Sequence, residues 1–388
     1  MRCLITSILL LSSSQLFASD FGNTITVSAS QNGIFHHFES SGRTSLAVAN
    51  GTVAIVWEDN RTGVPQIFVA FKSRSQTQFT QAIQVSIQGP AYEPAITAIG
   101  EQFVIGWESQ DRLWLRQVSP ARLGNIVPLT TATARQLTLT STLTSQPIAA
   151  WSEQDPTSFH IRIADIAIEH NQLQVHNSRP VDNSSDRKEQ LYPSVAVTQK
   201  GIVVAWEDRR FGATRIFTSF APAGGTFEPY QTLNDFLLLS KFGQGTGAMR
   251  VVLASDQHSK VIAIWLDKRD FRQGYDVYAA LSEDGGKTFG ADEKVQDPLG
   301  DNLPQWHASI AMSPRGQVFA AWDDSRDGSP DIWFSTRTHS SWSEDDVWPS
   351  GSGNGAQTLP ALLYEGETLH IAWLDRDKKS SAIRYLQK

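Results

Sequence analysis

Residues 201–220 read Gly-Ile-Val-Val-Ala-Trp-Glu-Asp-Arg-Arg-Phe-Gly-Ala-Thr-Arg-Ile-Phe-Thr-Ser-Phe. An apolar run, Ile202 to Ala205, closes on Trp206. A charged turn, Glu207 to Arg210, follows with Gly212, and a second β-rich run returns from Ile216 to Phe220. The pattern predicts two antiparallel strands joined by a polar hairpin.

The chain repeats this unit. Apolar runs also close on Trp57, Trp107, Trp151, Trp265, Trp322 and Trp373, each with an acidic residue one or two positions on. The intervals between successive tryptophans are 50, 44, 55, 59, 57 and 51 residues. A period near fifty residues, with several short strands per unit and no helical half-repeat, predicts a β-propeller. A strand precedes each tryptophan run, often opened by proline (Pro94, Pro193, Pro360), and two more follow, giving four-stranded blades. The seventh unit ends at Lys388 after three strands. Residues 24–28, Thr-Ile-Thr-Val-Ser, resemble the fourth strand Ala82 to Ser86. The expected fold is therefore all-β, a seven-bladed propeller of four-stranded antiparallel blades. The N-terminal strand completes the last blade and closes the ring, which removes exposed sheet edges. Residues 19–388 are read as one such domain.

Residues 1–18 have the form of a secretory signal: Arg2, an apolar stretch from Leu4 to Leu11, then Leu16-Phe17-Ala18 as a cleavage site near Ala18. The stretch is too short to span a bilayer, and no second candidate exists. A secreted or periplasmic location is expected. The single cysteine, Cys3, lies within the signal, so neither disulfides nor thiol chemistry is expected of the mature chain. The formal charge of −7 and the lack of a basic run argue against nucleic acid and anionic membranes as partners. Three stretches interrupt the repeat: 182–190, 234–247 and the glycine-rich 349–357, read as a flexible connector.

Ser282-Glu283-Asp284-Gly285-Gly286-Lys287-Thr288-Phe289 resembles the Asp-box (BNR-repeat) hairpin of sialidase-like propellers, placed between third and fourth strands as in that family. Weaker versions stand at 73–79, 223–227 and 335–342. The resemblance implies fold. Ser282, Asp284, Gly286, Thr288 and Phe289 would pin the turn and pack it, and nothing in the box implies chemistry. Sialidase catalytic domains have six blades, whereas the seven units here are more similar to seven-bladed, lectin-like propellers.

The pairs Asp59/Arg61, Asp208/Arg210, Asp267/Arg269 and Asp324/Arg326 recur at one offset. A feature repeated in most blades serves each blade, so these are read as turn-pinning pairs and the tryptophans as packing. Departures from the repeat carry more information. Arg43, Arg135 and Arg250 open blades one, three and five, where the chain nears the axis, and their planar forks suit a carboxylate. The family resemblance implies such an arginine triad, a tyrosine–glutamate nucleophile pair (Tyr92 and Glu93) and an acid at Asp59. Tyr192, Trp306, His307 and Glu39 stand at other inner-strand entrances and give a polar, aromatic-edged mouth suited to sugar or peptide. His36-His37 on a strand would point to opposite sides, so no metal site is expected. No cofactor is expected either, since no Gly-rich phosphate loop is present. The leading reading is a non-catalytic propeller binding a glycan or protein at its axial face. The alternatives are an exo-sialidase or related glycoside hydrolase, and a cell-envelope scaffold. Oligomeric state is not readable from the sequence.

Overall fold

The computed structural model describes residues 21–388, apart from 32, 39–42, 88, 145, 171, 234–246, 270–273, 302 and 339. The signal segment, Glu39 and all of the 234–247 insertion except Gly247 lie outside the described residues. Seven antiparallel sheets form seven blades. Blade four shows the plan: Gln190–Thr198, Gly201–Asp208, Arg215–Pro222 and Gln231–Thr232 pair in sequence order. The fourth strands of blades one, four and five are only two residues long. No α-helix occurs among the described residues, and no helix there is long and apolar enough to cross a membrane.

The ring closes as the sequence predicts. Ile25–Gln31 pairs antiparallel with Ser380–Gln387, the third strand of blade seven. The pairing runs past the expected residue 28 as far as Gln31 opposite Ser380. Gly22 N–H extends it by donating to the Gln387 carbonyl at 2.8 Å.

The core is divided among the seven seams between blades. Each repeat tryptophan sits in the seam with the preceding blade: Trp57 packs with Ala372 and Ile383 of blade seven, and Trp265 with Val203 and Ala205 of blade four. All seven tryptophans are buried, so their burial holds blades to one another. The 349–357 stretch is partly regular and not simply a flexible connector. Pro349–Gly351 forms a 3-10 turn after the fully buried Trp348, and the first strand of blade seven begins at Ala356.

Inner strands run down the axis and carry one recurrent irregularity. Blades two to seven each have a β-bulge near the strand start, marked by a register shift. The bulged residues are Glu93, Gln136, Tyr192, Arg250, His307 and Leu359, with φ between +50° and +59°. In three blades proline follows (Pro94, Pro193, Pro360), a residue tolerated at a bulge because it has no N–H to donate. In blade one the strand is split: His36–His37 pairs with Asp59 and Glu58, and Leu46–Ala49 with the rest of the partner. Arg43 lies two residues before Ser45, whose carbonyl accepts from Val56 at 2.9 Å. That offset makes Arg43 the blade-one counterpart of the six bulged residues.

Candidate functional site

The Trp-x-Asp-x-Arg turns are closed structures. The indole N–H of Trp57, Trp206, Trp265 and Trp322 donates to the aspartate two positions on, at 2.8, 3.0, 3.0 and 3.2 Å. Glu153 takes that place for Trp151, at 3.0 Å. The same aspartates accept from the backbone N–H of Arg61, Arg210, Arg269 and Arg326 and from their guanidiniums. Each guanidinium then lies over an aromatic ring: Phe68 at 4.5 Å, Tyr230 at 4.0 Å, Tyr278 at 3.8 Å and Trp333 at 4.1 Å. The carboxylates are at most 2 % exposed. Four copies of one buried sandwich pin the hairpins of four blades, and they leave Asp59 no open side from which to act on a ligand.

The hairpin at Ser282–Phe289 has the expected geometry. Asp284 accepts from the Thr288 N–H and hydroxyl at 2.9 and 2.7 Å, and Ser282 Oγ accepts from Gly286 N–H at 2.8 Å. Phe289 packs into the seam between blades four and five.

The axial channel is lined below its mouth by small and aliphatic residues such as Ala98, Leu139, Ala196, Leu253 and Ala311. At its rim, the mouth end of the inner strands, stand the seven counterpart residues: Glu93, Tyr192, Arg250 and His307 are partly exposed, while Arg43, Gln136 and Leu359 are buried, Leu359 in the seam of blades seven and one. Four blades set the neighbour's bulged residue through the acid that follows their tryptophan. Glu58 accepts from Glu93 N–H at 3.3 Å, Glu108 from Gln136 N–H at 2.6 Å, Glu207 from Arg250 N–H at 2.8 Å and Asp323 from Leu359 N–H at 3.0 Å. In blade three Ser152 replaces the acid and holds Gln136 instead, whose Oε1 accepts from Tyr192 N–H at 3.0 Å. These bonds hold non-glycine residues in the left-handed region, which is otherwise costly.

Rim side chains meet around the ring. Arg43 is ion-paired with Glu93 and hydrogen-bonded to Glu108 at 3.0 Å, its side chain only 3 % exposed. His37 approaches Glu93 at 3.9 Å. The Arg250 guanidinium lies over the ring of Tyr192, its Cζ 3.5 Å from the centroid, with Nη1 3.9 Å from Glu207. Burial pushes the Glu207 carboxyl up from its ordinary pKa. His307 Nδ1 meets Asp323 at 2.8 Å. Trp306, exposed beside it, leans on Tyr275 at 5.4 Å.

The three arginines singled out in the sequence have separate partners. Arg135 immediately precedes the bulge, pairs in the ladder with Ser152, lies 3.8 Å over Phe159 and reaches Glu189 at 3.3 Å. Gln136, which sequence reasoning passed over, occupies the rim position of that blade. Tyr92, also one residue before a bulge, is exposed and makes no side-chain hydrogen bond among the described residues. Glu93 is turned to Arg43. The two adjacent histidines diverge: His36 is buried against Ser381 and Ser28, and burial lowers its pKa to about 4. Among the described residues no cluster of three potential metal ligands occurs.

No protein-family model and no curated protein sequence matches this chain. Solved structures do. Polysaccharide lyase Uly1 is similar with a TM-score of 0.61 and 8 % identity over 95 % of this chain and 98 % of that one. An α-L-arabinanase of Penicillium chrysogenum complexed with arabinobiose gives 0.51 and 9 % over 94 % and 98 %. The GH93 α-L-arabinofuranosidase of Fusarium graminearum gives 0.50 and 9 % over 92 % and 97 %. Sialidases, among them NanB of Streptococcus pneumoniae at 0.48, are a looser match and say nothing about activity. At these identities the likeness is one of fold: this chain has the architecture of the seven-bladed β-propellers.

Proposed function

We propose that this chain is an exported propeller that binds a glycan at the mouth of its axial channel without turning it over. One observation carries the reading. The bulge recurs with the same backbone in six blades, yet its residue differs in every one, and the four that are partly exposed, Glu93, Tyr192, Arg250 and His307, are all polar or aromatic while Gln136 and Leu359 are buried. A position serving only the blade would repeat its residue, as the Trp-x-Asp-x-Arg turn does. A fixed frame with varied polar and aromatic side chains suits an asymmetric ligand with several hydroxyl groups. Carbohydrate-active proteins among the fold neighbours, an arabinanase and a polysaccharide lyase, favour a glycan. Export rests on the signal-like residues 1–18.

The non-catalytic part of the reading rests on geometry. A sialidase triad needs three convergent guanidiniums, whereas Arg43 is paired with Glu93, Arg135 donates to Glu189, and Arg250 lies over the ring of Tyr192. The candidate acid, Asp59, is enclosed by Trp57 and Arg61. The purified mature chain on a glycan array should show saturable binding, and a fluorogenic sialoside should not be hydrolysed. Turnover that Arg250→Ala abolishes would replace this reading with that of a glycoside hydrolase.

A second reading has its own support. Among the described residues, seven of the eight exposed large apolar ones, Phe35, Val64, Ile87, Tyr92, Phe211, Leu299 and Trp306, fall in segments on the mouth's face of the disc. The eighth of these, Leu143, is in a hairpin of the opposite face. Such a distribution suits a protein partner on that face, and silence on the array with stoichiometric capture of an envelope protein would favour it.

A further inference from the structure

The rim arginines differ in one respect. The Arg43 guanidinium is bonded to carboxylates on both sides, and Arg135 donates to Glu189. Arg250 makes no side-chain hydrogen bond among the described residues, although its side chain is only 28 % exposed. Its Nη1 is buried without a hydrogen-bond partner. A guanidinium carries five donors in a planar fork, and leaving such donors largely out of water and unmet is costly.

Arg250 is nevertheless held firmly. Its backbone N–H is fixed on Glu207 at 2.8 Å, and its guanidinium rests on Tyr192. The Tyr192 N–H is fixed in turn on Gln136, which Ser152 holds at 2.9 Å. Both side chains thus project from bulges whose backbone is pinned by a neighbouring blade. Among the described residues the one ion-pair partner of Arg250, Glu207, is 3.9 Å away, beyond hydrogen-bond reach. It offsets part of the charge and fills none of the fork. In the next blade of the ring Trp306 presents an exposed aromatic surface.

We infer that Arg250, laid on Tyr192 at the seam of blades four and five, is the seat for a carboxylate carried by an acidic polysaccharide, one residue of which is a uronate. This rests on the reading that the mouth binds glycans, and it deepens that reading to a ligand class. A planar carboxylate matches the guanidinium fork through two parallel hydrogen bonds. The recognition is by a single arginine on an aromatic bed, without convergence of Arg43 or Arg135.

The test is calorimetric titration of the full mature chain with polygalacturonate, the same polymer with its carboxyl groups methyl-esterified, dextran and dextran sulfate. Wild type should bind polygalacturonate at least about tenfold more tightly than the ester or dextran, a difference of about 1.4 kcal/mol. Arg250→Gln should erase that preference, and Arg250→Lys, which keeps charge without the fork, should keep only part of it. Unchanged thermal unfolding of both variants would exclude misfolding, and an Arg250→Gln chain that does not fold leaves the ester comparison in wild type as the deciding result. Equal binding of acid and ester, or a preference untouched in Arg250→Gln, overturns the uronate seat and leaves glycan binding intact. Dextran sulfate bound as tightly as polygalacturonate overturns the carboxylate assignment. Binding of none of the four polymers overturns the seat, and silence on the glycan array as well would remove the glycan reading with it.

Discussion

The indole of Trp265 donates to Asp267 across 3.0 Å, and the same carboxylate holds the Arg269 guanidinium at 2.7 Å. Asp267 is fully buried, so its removal strands a buried indole N–H and half of an ion pair. Arg269 keeps Asp292 as a second partner. Asp267→Ala should cost about 3–5 kcal/mol, read as a lower urea midpoint. Asp267→Asn retains an acceptor for the indole and should cost less. Equal stability of Asp267→Ala and wild type would mean that the turn cassette does not hold the blade.

The Ser282–Phe289 hairpin offers a backbone test. Gly286 has φ +94°, and a Cβ there would stand 2.5 Å from Val203 Cγ1 of the neighbouring blade. Gly212 has φ +91° with open space around it. Gly212→Ala should carry only the left-handed backbone penalty, about 1 kcal/mol. Gly286→Ala adds a clash with a packed β-branched side chain and should cost about 1–3 kcal/mol more. Chemical denaturation of the two variants makes the comparison.

Two buried histidines flank the closing seam. Burial lowers the pKa of His36 to about 4 and that of His370 to about 4. Asp59, Arg61 and Arg376 act on His36, and Glu365, Lys72 and Arg74 on His370. The unfolded chain takes up these protons near pH 6.5 and the folded one only near 4. Each histidine therefore contributes stability above pH 6.5 that is lost as pH falls from 6.5 to 4. Asp276 and Asp345, raised by burial to about 6, contribute with the opposite sign over roughly the same range. A comparison with a variant isolates one group. Between pH 7 and 4.5, His370→Gln should gain about 2 kcal/mol relative to wild type. A constant difference across that range would show that His370 is not held neutral.

Glu207 separates a hydrogen-bond role from a charge role. Its backbone partner is Arg250 N–H. Burial raises its carboxyl pKa, so ionisation weakens the fold as pH rises past the unfolded value. Glu207→Gln keeps an acceptor oxygen and should be at least as stable as wild type at pH 7.5. Glu207→Ala leaves the bulge N–H unmet and should lose about 1–3 kcal/mol. Thermal unfolding of the pair decides it.

Most of the fold was legible because burial is written into strand periodicity. Seven apolar runs ending in tryptophan mark seven blades, and the likeness of Thr24–Ser28 to Ala82–Ser86 marks the closing strand. The Asp-x-Arg offset marked the turn cassette. The rim was harder to read. A bulge inserts one residue, and six non-glycine residues with positive φ carry no compositional sign. Hence Arg135, which stands one place early and lies on Phe159, was the natural candidate, while Gln136 holds the rim. A usable signal existed: Glu58, Glu108, Glu207 and Asp323 each follow a repeat tryptophan, and each binds the next blade's bulge. In the sequence they merge with the charged turn.

The central claim is that ligand enters at the varied rim. Hydrogen exchange of the mature chain, with and without a saturating array-selected glycan, tests it most directly. Protection should rise in peptides covering Tyr192, Arg250 and Trp306–His307, and stay unchanged in the opposite-face hairpin of Ser282–Phe289. Protection confined to the opposite face or to the outer strands would contradict the account.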